Sequence, residues 1–204
     1  MSREENVFVV DDDQAMRNSL KWLIESVGLR VKTFDSADVF LAACYPGLAG
    51  CLLLDVRMPG MSGLELQAHL TRQEFRMPVI IITGHGDVGM AVQAMKAGAV
   101  DFIEKPFNDE ALLGSIRNAL DHDKEQRGTN ALRADVAARL AELTPREHEV
   151  MTMVTDGKSN KEIAAALGVS TKTIEAHRAR VMEKMRAGSL AELVRMALIE
   201  DGIG

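Results

Sequence analysis

The sequence predicts an α/β domain with a five-stranded, doubly wound parallel sheet, followed by an all-α domain of four helices. Over residues 6–122, short apolar runs alternate with amphipathic stretches, which is typical of a buried parallel sheet covered by helices. From Thr144 onward no strand pattern occurs, and apolar residues recur at helical spacing. Between these parts, residues 123–142 are rich in polar and charged side chains and predict a partly helical linker. The predicted domains are therefore 1–122 and 143–204.

The alternating pattern predicts five strands, near residues 6–10, 30–34, 51–55, 79–83 and 100–104. Strand and helix patterns alternate, and five such units predict right-handed crossovers. The first helix carries an apolar stripe that includes Met16 and Leu20 at helical spacing. Asp13 is placed to cap this helix, and Ser62 is placed to cap the third.

The segment after the last strand unit contains residues that oppose helix formation. Gly128-Thr129-Asn130 are strong breakers, although Val136 and Leu140 follow at helical spacing. Thr144, Pro145 and Glu147 are a strong helix start. The remaining helices are predicted at 145–156, 160–167, 171–186 and 190–200.

Composition limits the class of protein. The 204 residues are 47% hydrophobic with a net charge of −6, so cores can form and the whole chain is no obvious polyanion binder. Residues 1–123 hold 11 basic and 18 acidic residues (−7), whereas residues 124–204 hold 13 and 12 (+1). Cys44 and Cys51 are expected to be buried thiols rather than a disulfide. Without a signal peptide or a membrane-length apolar run, we expect a soluble, cytoplasmic protein with no membrane partner.

The most informative residues follow the carboxyl ends of the predicted strands. Parallel sheets bind ligands beyond these ends, so the side chains found there should meet in one crevice. Carboxylates suit a hard cation such as Mg²⁺, and an aspartate can accept a phosphoryl group as a nucleophile. A simple helix-capping role is the alternative for strand-end acids, and Asp13 is assigned to it. The cluster consists of Asp11, Asp12, Asp55, Thr83 and Lys105.

Residues 6–120 resemble the receiver domain of two-component response regulators, which has a flavodoxin-like fold. The resemblance rests on the cluster's order and spacing and on the segments 55–63 and 83–85. It implies that Asp55 is the phosphoacceptor, that Asp12 binds Mg²⁺ directly and that Asp11 does so largely through water. The backbone carbonyl of Arg57 would be the remaining protein ligand. Thr83 and Lys105 would each contact a phosphoryl oxygen, and the Lys105–Pro106 peptide would be cis.

The resemblance also implies roles for residues around the pocket. Phe102 matches an aromatic switch that turns inward when Thr83 moves, although a plain core phenylalanine is the alternative. Arg57 and His85 occupy positions that tune the lifetime of the phosphoryl group. No nucleotide-binding loop is visible, so the phosphoryl donor is expected to be a sensor histidine kinase rather than ATP. Apart from autocatalysed phosphoryl acceptance and loss at Asp55, no enzyme activity is expected.

The second half contains a helix, a glycine turn and a basic helix, which is typical of helix-turn-helix DNA binding. Helix 171–186 carries five basic and two acidic residues, and a merely solvated charged helix is the alternative. Residues 143–202 resemble the LuxR-type DNA-binding domain. This implies base readers at Glu175, Ala176 and Ala179, and a DNA contact of unassigned type at His177. The implied phosphate contacts are Ser159, Asn160, Lys161, Lys172, Arg178, Arg180 and Lys184.

Taken together, the chain resembles a response regulator of the NarL/FixJ family and is most similar to its FixJ-like branch. The resemblance implies a transcription regulator that phosphorylation converts into a homodimer able to bind double-stranded promoter DNA and to work with RNA polymerase. Helix 190–200 would pair with its copy or line the core. A haloacid-dehalogenase-like phosphatase is disfavoured, because Arg57 stands where those enzymes need a second acid. A phosphorylation-independent DNA-binding protein is disfavoured by the intact acidic cluster.

Overall fold

The first half of the chain folds into the predicted alternation of strands and helices. The computed structural model describes residues 6–45, 47–84 and 88–200. Five parallel strands pair in the order β2-β1-β3-β4-β5, which confirms the predicted doubly wound sheet. Two strands begin one residue away from their predicted starts, at Gly50 and at Asp101. The strands are β1 Asn6–Val10, β2 Arg30–Phe34, β3 Gly50–Asp55, β4 Val79–Thr83 and β5 Asp101–Glu104.

Five helices follow the strands. The Asp13 side chain accepts hydrogen bonds from the first turn of α1, and Ser62 and Glu65 form a reciprocal capping box at the start of α3. Both predicted caps are therefore confirmed. The helices are α1 Gln14–Ser26, α2 Ala37–Ala43, α3 Gly63–Arg72, α4 Val88–Lys96 and α5 Asp109–Leu140.

The sheet is buried on both faces. Phe8, Leu52 and Ile81 belong to one apolar cluster, which α2, α3 and α4 help to cover. Their neighbours Leu53 and Ile80 point the other way, into the cluster shared with α1 and α5. Side chains alternate along a strand, so only a sheet covered on two sides buries consecutive apolar residues. This explains why the central strands β1, β3 and β4 are largely apolar in the sequence, whereas β2 and β5 at the edges are less buried.

Helix α5 differs from the prediction, because it continues for 32 residues through Gly128-Thr129-Asn130. The expected break is wrong, and residues 123–140 are all helical. Placing each of these residues in a helix costs at most about 1 kcal/mol, and tertiary contacts on either side can offset this cost. Before them, the Asp123 carboxylate accepts hydrogen bonds from the Gly50 amide and the Arg127 side chain. After them, Val136 is 1% exposed in the second core.

The chain divides into two compact units, Met1–Arg127 and Gly128–Gly204. The division lies five residues after the predicted end of the first domain at residue 122. Cys44 and Cys51, both in the first unit, are free cysteines; Cys51 is buried as expected, whereas Cys44 is only partly buried. In the part of the chain that the structure describes, no helix is long and apolar enough to cross a membrane.

The second unit contains four further helices after the end of α5. Two predicted boundaries are wrong: α6 ends at Thr155, and α8 ends at Lys184 rather than at residue 186. Helix α8 stops because Met185 is its cap and the Ala187 amide turns back to donate to the Met182 carbonyl. Arg186 therefore lies outside the helix, with a left-handed φ of 51°. The helices are α6 Pro145–Thr155, α7 Asn160–Leu167, α8 Thr171–Lys184 and α9 Leu190–Glu200.

The core of the second unit contains an apolar stripe from α8 and its cap. Ile174 and Met185 are fully buried, and Val181 is 2% exposed. The prediction for α9 left two alternatives, lining the core or pairing with a second copy of the helix, and its residues differ in burial. Leu193 lies in the core with 1% of its surface exposed, whereas Leu190 is 46% exposed. The α9 helix therefore contributes to the core and also presents apolar side chains to solvent.

Candidate functional site

The predicted cluster at the strand ends is centred on the ammonium group of Lys105. Its Nζ atom lies 2.8 Å from Oδ2 of Asp11 and 2.7 Å from Oδ1 of Asp55. Asp11 follows β1 directly and Asp55 ends β3, so neighbouring parallel strands bring them to the same edge of the sheet. The two carboxylates are only 3% and 7% exposed. The structure therefore brings three of the predicted pocket residues into direct contact.

Each carboxylate uses its second oxygen to accept a backbone hydrogen bond. Asp11 accepts from the amide of Asp13 at 2.8 Å, and Asp55 accepts from the amide of Arg57 at 2.7 Å. These bonds fix the orientation of both side chains. Lys105 supplies one positive charge against two negative charges, so the contact trio retains a net negative charge that favours a cation.

Burial and the lysine act on the acids in opposite directions. Burial raises the pKa of Asp55, and the hydrogen bond and charge of Lys105 offset only part of this effect. Burial opposes the charge on Lys105, but its bonds to Asp11 and Asp55 outweigh that effect and raise its pKa. The lysine therefore stays protonated and provides a fixed positive charge beside Asp55.

A backbone hydrogen bond connects Thr83 with Lys105. Thr83 ends β4 and is fully buried, and its carbonyl accepts a 2.7 Å hydrogen bond from the Lys105 amide. The Lys105–Pro106 peptide is cis, as the family resemblance implied. β4 lies between β3 and β5 in the sheet, so Thr83 reaches the same edge as Asp55. A fourth predicted residue thus lies at this edge of the sheet.

The oxygen atoms in the pocket are of the chemical type that binds a hard divalent cation. Asp12 follows Asp11 with an exposed side chain, and carboxylate and carbonyl oxygens are the ligands that Mg²⁺ prefers. As the side chains stand, no three Asp, Glu, His or Cys residues within 6–45, 47–84 and 88–200 converge closely enough to hold a metal ion. The Lys105 ammonium lies between the two buried acids instead.

Two residues that the sequence analysis did not single out support the pocket. Arg17 in α1 donates a 2.7 Å hydrogen bond to the backbone carbonyl of Asp11. Gly63 begins α3 so close to Asp55 that an added Cβ would lie 2.1 Å from the Asp55 carbonyl oxygen. No side chain fits there, which explains the glycine eight residues after the acid. The motif around Gly63 gave a signal for this contact, whereas nothing local distinguished Arg17.

The predicted switch residue, Phe102, is not the fully buried core phenylalanine of the alternative, and its role as a switch stays a prediction. Phe102 is half-buried on β5 and packs against the core cluster that contains Ile81, its partner in the register with β4. The aromatic ring therefore contacts the core without being fully buried in it. Arg57, predicted to influence the phosphoryl lifetime, has an exposed side chain. His85, the other residue in that prediction, lies outside the described residues.

The second unit presents a charged surface on α7 and α8. Lys161, Lys172 and Arg180 are exposed, as are Glu175, Ala176 and Ala179. Arg178 is half-buried and donates a 2.8 Å hydrogen bond to the Asn160 side chain, which joins α8 to the start of α7. His177 is also half-buried, and its Nδ1 atom is buried without a hydrogen-bond partner among the described residues. Ser159 is exposed, but its hydroxyl is engaged with Glu162 in a capping box.

Lys184, which is predicted to contact a DNA phosphate, uses its ammonium group inside the unit. Its Nζ atom lies 2.6 Å from Oε2 of Glu147 and donates at 3.0 Å to the backbone carbonyl of Glu142. Glu147 is 2% exposed, so this ion pair is anchored at a buried position. With its ammonium group engaged in this pair, we expect Lys184 to support the framework of the unit rather than to contact DNA phosphates.

The ion pair gives a prediction about pH. Hydrogen bonds from Lys184 and from the Thr144 amide lower the pKa of Glu147 from 4.5 to about 2. An acid whose pKa is lower in the folded state than in the unfolded state stabilises the fold. This stabilisation is complete above the pKa of the unfolded state and is lost as the pH falls through the pKa of the folded state. Glu147→Gln should therefore lower the free energy of unfolding of the second unit by about 2 kcal/mol at neutral pH. This difference from the wild type should shrink as the pH falls from about 4.5 toward 2.

Urea unfolding of the wild type and the variant across this pH range measures the effect. Glu149→Gln is the matched control, because Glu149 is 54% exposed in its pair with Arg146. Removing that exposed pair should cost less than about 1 kcal/mol. A Glu147→Gln difference that stays constant down to the acid limit would contradict the assigned ion pair.

Two family models match the chain in the regions of the two units. The response regulator receiver domain matches residues 7–117, and the luxR family of bacterial regulatory proteins matches residues 141–197. The transcriptional regulatory protein FixJ of Bradyrhizobium diazoefficiens is 49% identical over 199 residues, which cover 97% of each chain. FixJ of Azorhizobium caulinodans is 50% identical over 193 residues, 95% of this chain and 92% of that protein.

Solved structures show the same similarity. The response regulator StyR aligns with a TM-score of 0.88 at 43% identity, covering 96% of this chain and 98% of its own. Full-length FixJ from B. japonicum aligns with a TM-score of 0.60 at 47% identity, covering 100% of both chains. Both comparisons extend over the strand-end pocket and over the helical unit.

Proposed function

Because the chain belongs to the NarL/FixJ family of two-component response regulators, with a receiver domain and a LuxR-type DNA-binding domain, we propose that Asp55 accepts a phosphoryl group from a cognate sensor histidine kinase. The phosphorylated chain then forms a homodimer and binds double-stranded promoter DNA. The observation that carries this proposal is the placement of the Lys105 ammonium between Asp11 and Asp55. Beyond its own phosphorylation and dephosphorylation, the protein turns over no separate substrate.

The chemistry begins at the carboxylate of Asp55. One of its oxygens attacks the phosphorus of a phosphohistidine whose other ring nitrogen is protonated, so an O–P bond forms as the P–N bond breaks and neutral imidazole leaves. Such transfer depends on positioning and charge neutralisation more than on protein acids and bases. The Arg57 amide, bonded to the second oxygen of Asp55, fixes the attacking group. Lys105 and Thr83 hold the oxygens of the transferred group.

Asp11, Asp12, Asp55 and the backbone carbonyl of Arg57 would hold Mg²⁺ in this pocket. The ion supplies positive charge that neutralises the developing negative charge of the transferred group. The oxygen donors of these residues and the net negative charge of the Asp11–Asp55–Lys105 trio support the assignment.

Phosphorylation acts on the rest of the receiver through Thr83. When the Thr83 hydroxyl bonds to the phosphoryl group, space opens beside β4 and Phe102 turns inward to fill it. A local change in charge then becomes a change in the surface formed by α4 and β5. The half-buried position of Phe102 against the core cluster supports this proposal.

The output is binding of DNA through α8. Its exposed Glu175, Ala176 and Ala179 face away from the core and would read base edges. Exposed basic residues around them would contact phosphates, and His177 lies between the two sets. A dimer presents two copies of α8 to adjacent half-sites and can then work with RNA polymerase. A DNA partner requires that the protein act in the cytoplasm.

Dimerisation is tested by the molecular mass in solution. Light scattering during size-exclusion chromatography should give the monomer mass for the untreated protein and about twice that mass after treatment with acetyl phosphate and Mg²⁺. The apolar side chains exposed on α4, Val88 and Met95, support an interface there. Asp55→Asn serves as the control and should stay monomeric under both conditions. The dimer mechanism would be contradicted if the treated protein carried the phosphoryl group and still remained a monomer at high concentration.

A further inference from the structure

Helix α4 is held to the receiver by little apolar packing. Within Val88–Lys96, Ala94 is the one fully buried residue. Val88 is 82% exposed, Val92 46% and Met95 49%. Burial of apolar area is the main source of helix anchoring in a folded domain. Other contacts must therefore contribute to fixing this helix in place.

Two polar side chains of α3 provide such contacts. Gln67 donates from Nε2 to the Ala94 carbonyl at 3.0 Å. The Thr71 hydroxyl has a single proton to donate, and its Oγ1 lies 3.3 Å from the Ala97 carbonyl and 3.0 Å from the Gln67 carbonyl of its own helix, so its bond to α4 is a shared one. Gln67 and Thr71 are four residues apart, so they lie on the same side of α3. Both bonds reach the C-terminal end of α4, while its N-terminal end receives neither.

Gln67 is an unusual residue for this position. It is 1% exposed, and its Oε1 atom is buried without a hydrogen-bond partner among the described residues. Burying an unpaired amide oxygen is unfavourable, so a leucine would pack here at lower cost. A hydrogen bond between neutral groups contributes little net free energy, which makes this attachment easy to break.

The other end of α4 is connected to the phosphoryl pocket. β4 ends at Thr83, and α4 begins five residues later at Val88. The Thr83 carbonyl is bonded to the amide of Lys105, so Thr83 is part of the pocket edge. A displacement of Thr83 would therefore shift the N-terminal end of α4, whereas the bonds from Gln67 and Thr71 hold the C-terminal end in place.

We propose that Gln67 and Thr71 form a polar latch between α3 and α4, and that this latch sets how readily α4 moves when Asp55 is phosphorylated. The inference rests on the proposed function and adds a regulatory element to it. The latch belongs to the arrangement without a phosphoryl group. Weakening it raises the fraction of molecules in which α4 is already released, and the phosphorylation rate rises with that fraction.

The test compares Gln67→Met with the wild type in the full chain. Methionine has a similar shape but removes both the donor and the unpaired oxygen. Loss of one neutral hydrogen bond should raise two rates, that of amide exchange and that of phosphorylation, by about fivefold each. The Ala99 amide, which donates to the same Ala94 carbonyl, should exchange with solvent about fivefold faster. Phosphoryl incorporation from acetyl phosphate and Mg²⁺, followed by intact mass, should also be about fivefold faster, with little change in Tm.

Two further variants complete the experiment. Gln73→Met places the same substitution at an exposed position at the end of α3 and should change neither rate. Thr71→Val removes the second bond with little change in volume and should raise both rates by a smaller factor. It also keeps the inference testable if Gln67→Met fails to fold.

The outcomes separate this inference from the proposed function. Faster exchange together with faster phosphorylation supports the latch. Faster exchange with an unchanged phosphorylation rate, or unchanged exchange, overturns it and leaves the proposed function intact. Slower phosphorylation with a lowered Tm also overturns it, because that result indicates a merely structural role. If the wild type takes up no phosphoryl group, the proposed function fails, whatever the exchange measurement gives.

Discussion

Replacing Asp55 with asparagine should abolish the uptake of a phosphoryl group. The wild type should gain the mass of one phosphoryl group when it is incubated with acetyl phosphate and Mg²⁺, and Asp55→Asn should gain none. The neutral amide lacks the negative oxygen that attacks phosphorus. Its carbonyl oxygen can still accept the hydrogen bond from Lys105, so the pocket and the fold should persist. Intact mass spectrometry and thermal unfolding measure the two effects.

The matched control is another aspartate at the end of a strand. Asp35 follows β2 and is exposed, and among the described contacts its side chain accepts a hydrogen bond from Ser36 rather than from Lys105. Asp35→Asn should gain the phosphoryl mass as the wild type does. Full uptake by the Asp55 variant would show that another side chain is the acceptor. Loss of uptake in both variants, with intact folds, would show that the assay depends on general surface charge.

The fold and the pocket were predictable because their signals are local. An apolar run of five residues predicts a buried strand, and Thr144 followed by Pro145 and Glu147 predicts a capped helix start. Parallel pairing then carries the ends of neighbouring strands to one edge, which places Asp11 beside Asp55 without knowledge of any loop. The roles of the individual metal ligands and of the individual DNA contacts came from the family resemblance instead, and they stay predictions.

What escaped prediction depends on contacts between residues far apart in the sequence. The role of Lys184 is set by Glu147, 37 residues earlier, and a basic side chain on a DNA-binding helix gives no sign of such a partner. The continuation of α5 through Gly128 opposes local propensity and depends on packing at both ends of the segment. Gln67 looks like a surface residue in an amphipathic helix, yet it is buried against α4.

The basic surface of α8 should account for much of the electrostatic affinity for DNA. The double variant Lys172→Ala/Arg180→Ala should bind a mixed-sequence DNA duplex about 30-fold more weakly at physiological salt. Each lost phosphate contact lowers the slope of log affinity against log salt by about 0.9, so the double variant should lower it by about 1.8. Both side chains are exposed on the surface that Glu175 shares. Fluorescence anisotropy over a series of salt concentrations measures both quantities.

Lys184→Gln provides the contrast, because it removes a charge from the same helix at a position engaged with Glu147. A framework lysine releases no counterion from DNA, so its loss should leave the salt slope unchanged while it lowers the stability of the unit. The slope therefore separates the two roles even where affinity falls in both variants. A slope that decreases by about 0.9 for Lys184→Gln and stays constant for the double variant would reverse the assignment. In that case the ion pair between Lys184 and Glu147 would have to open when DNA binds.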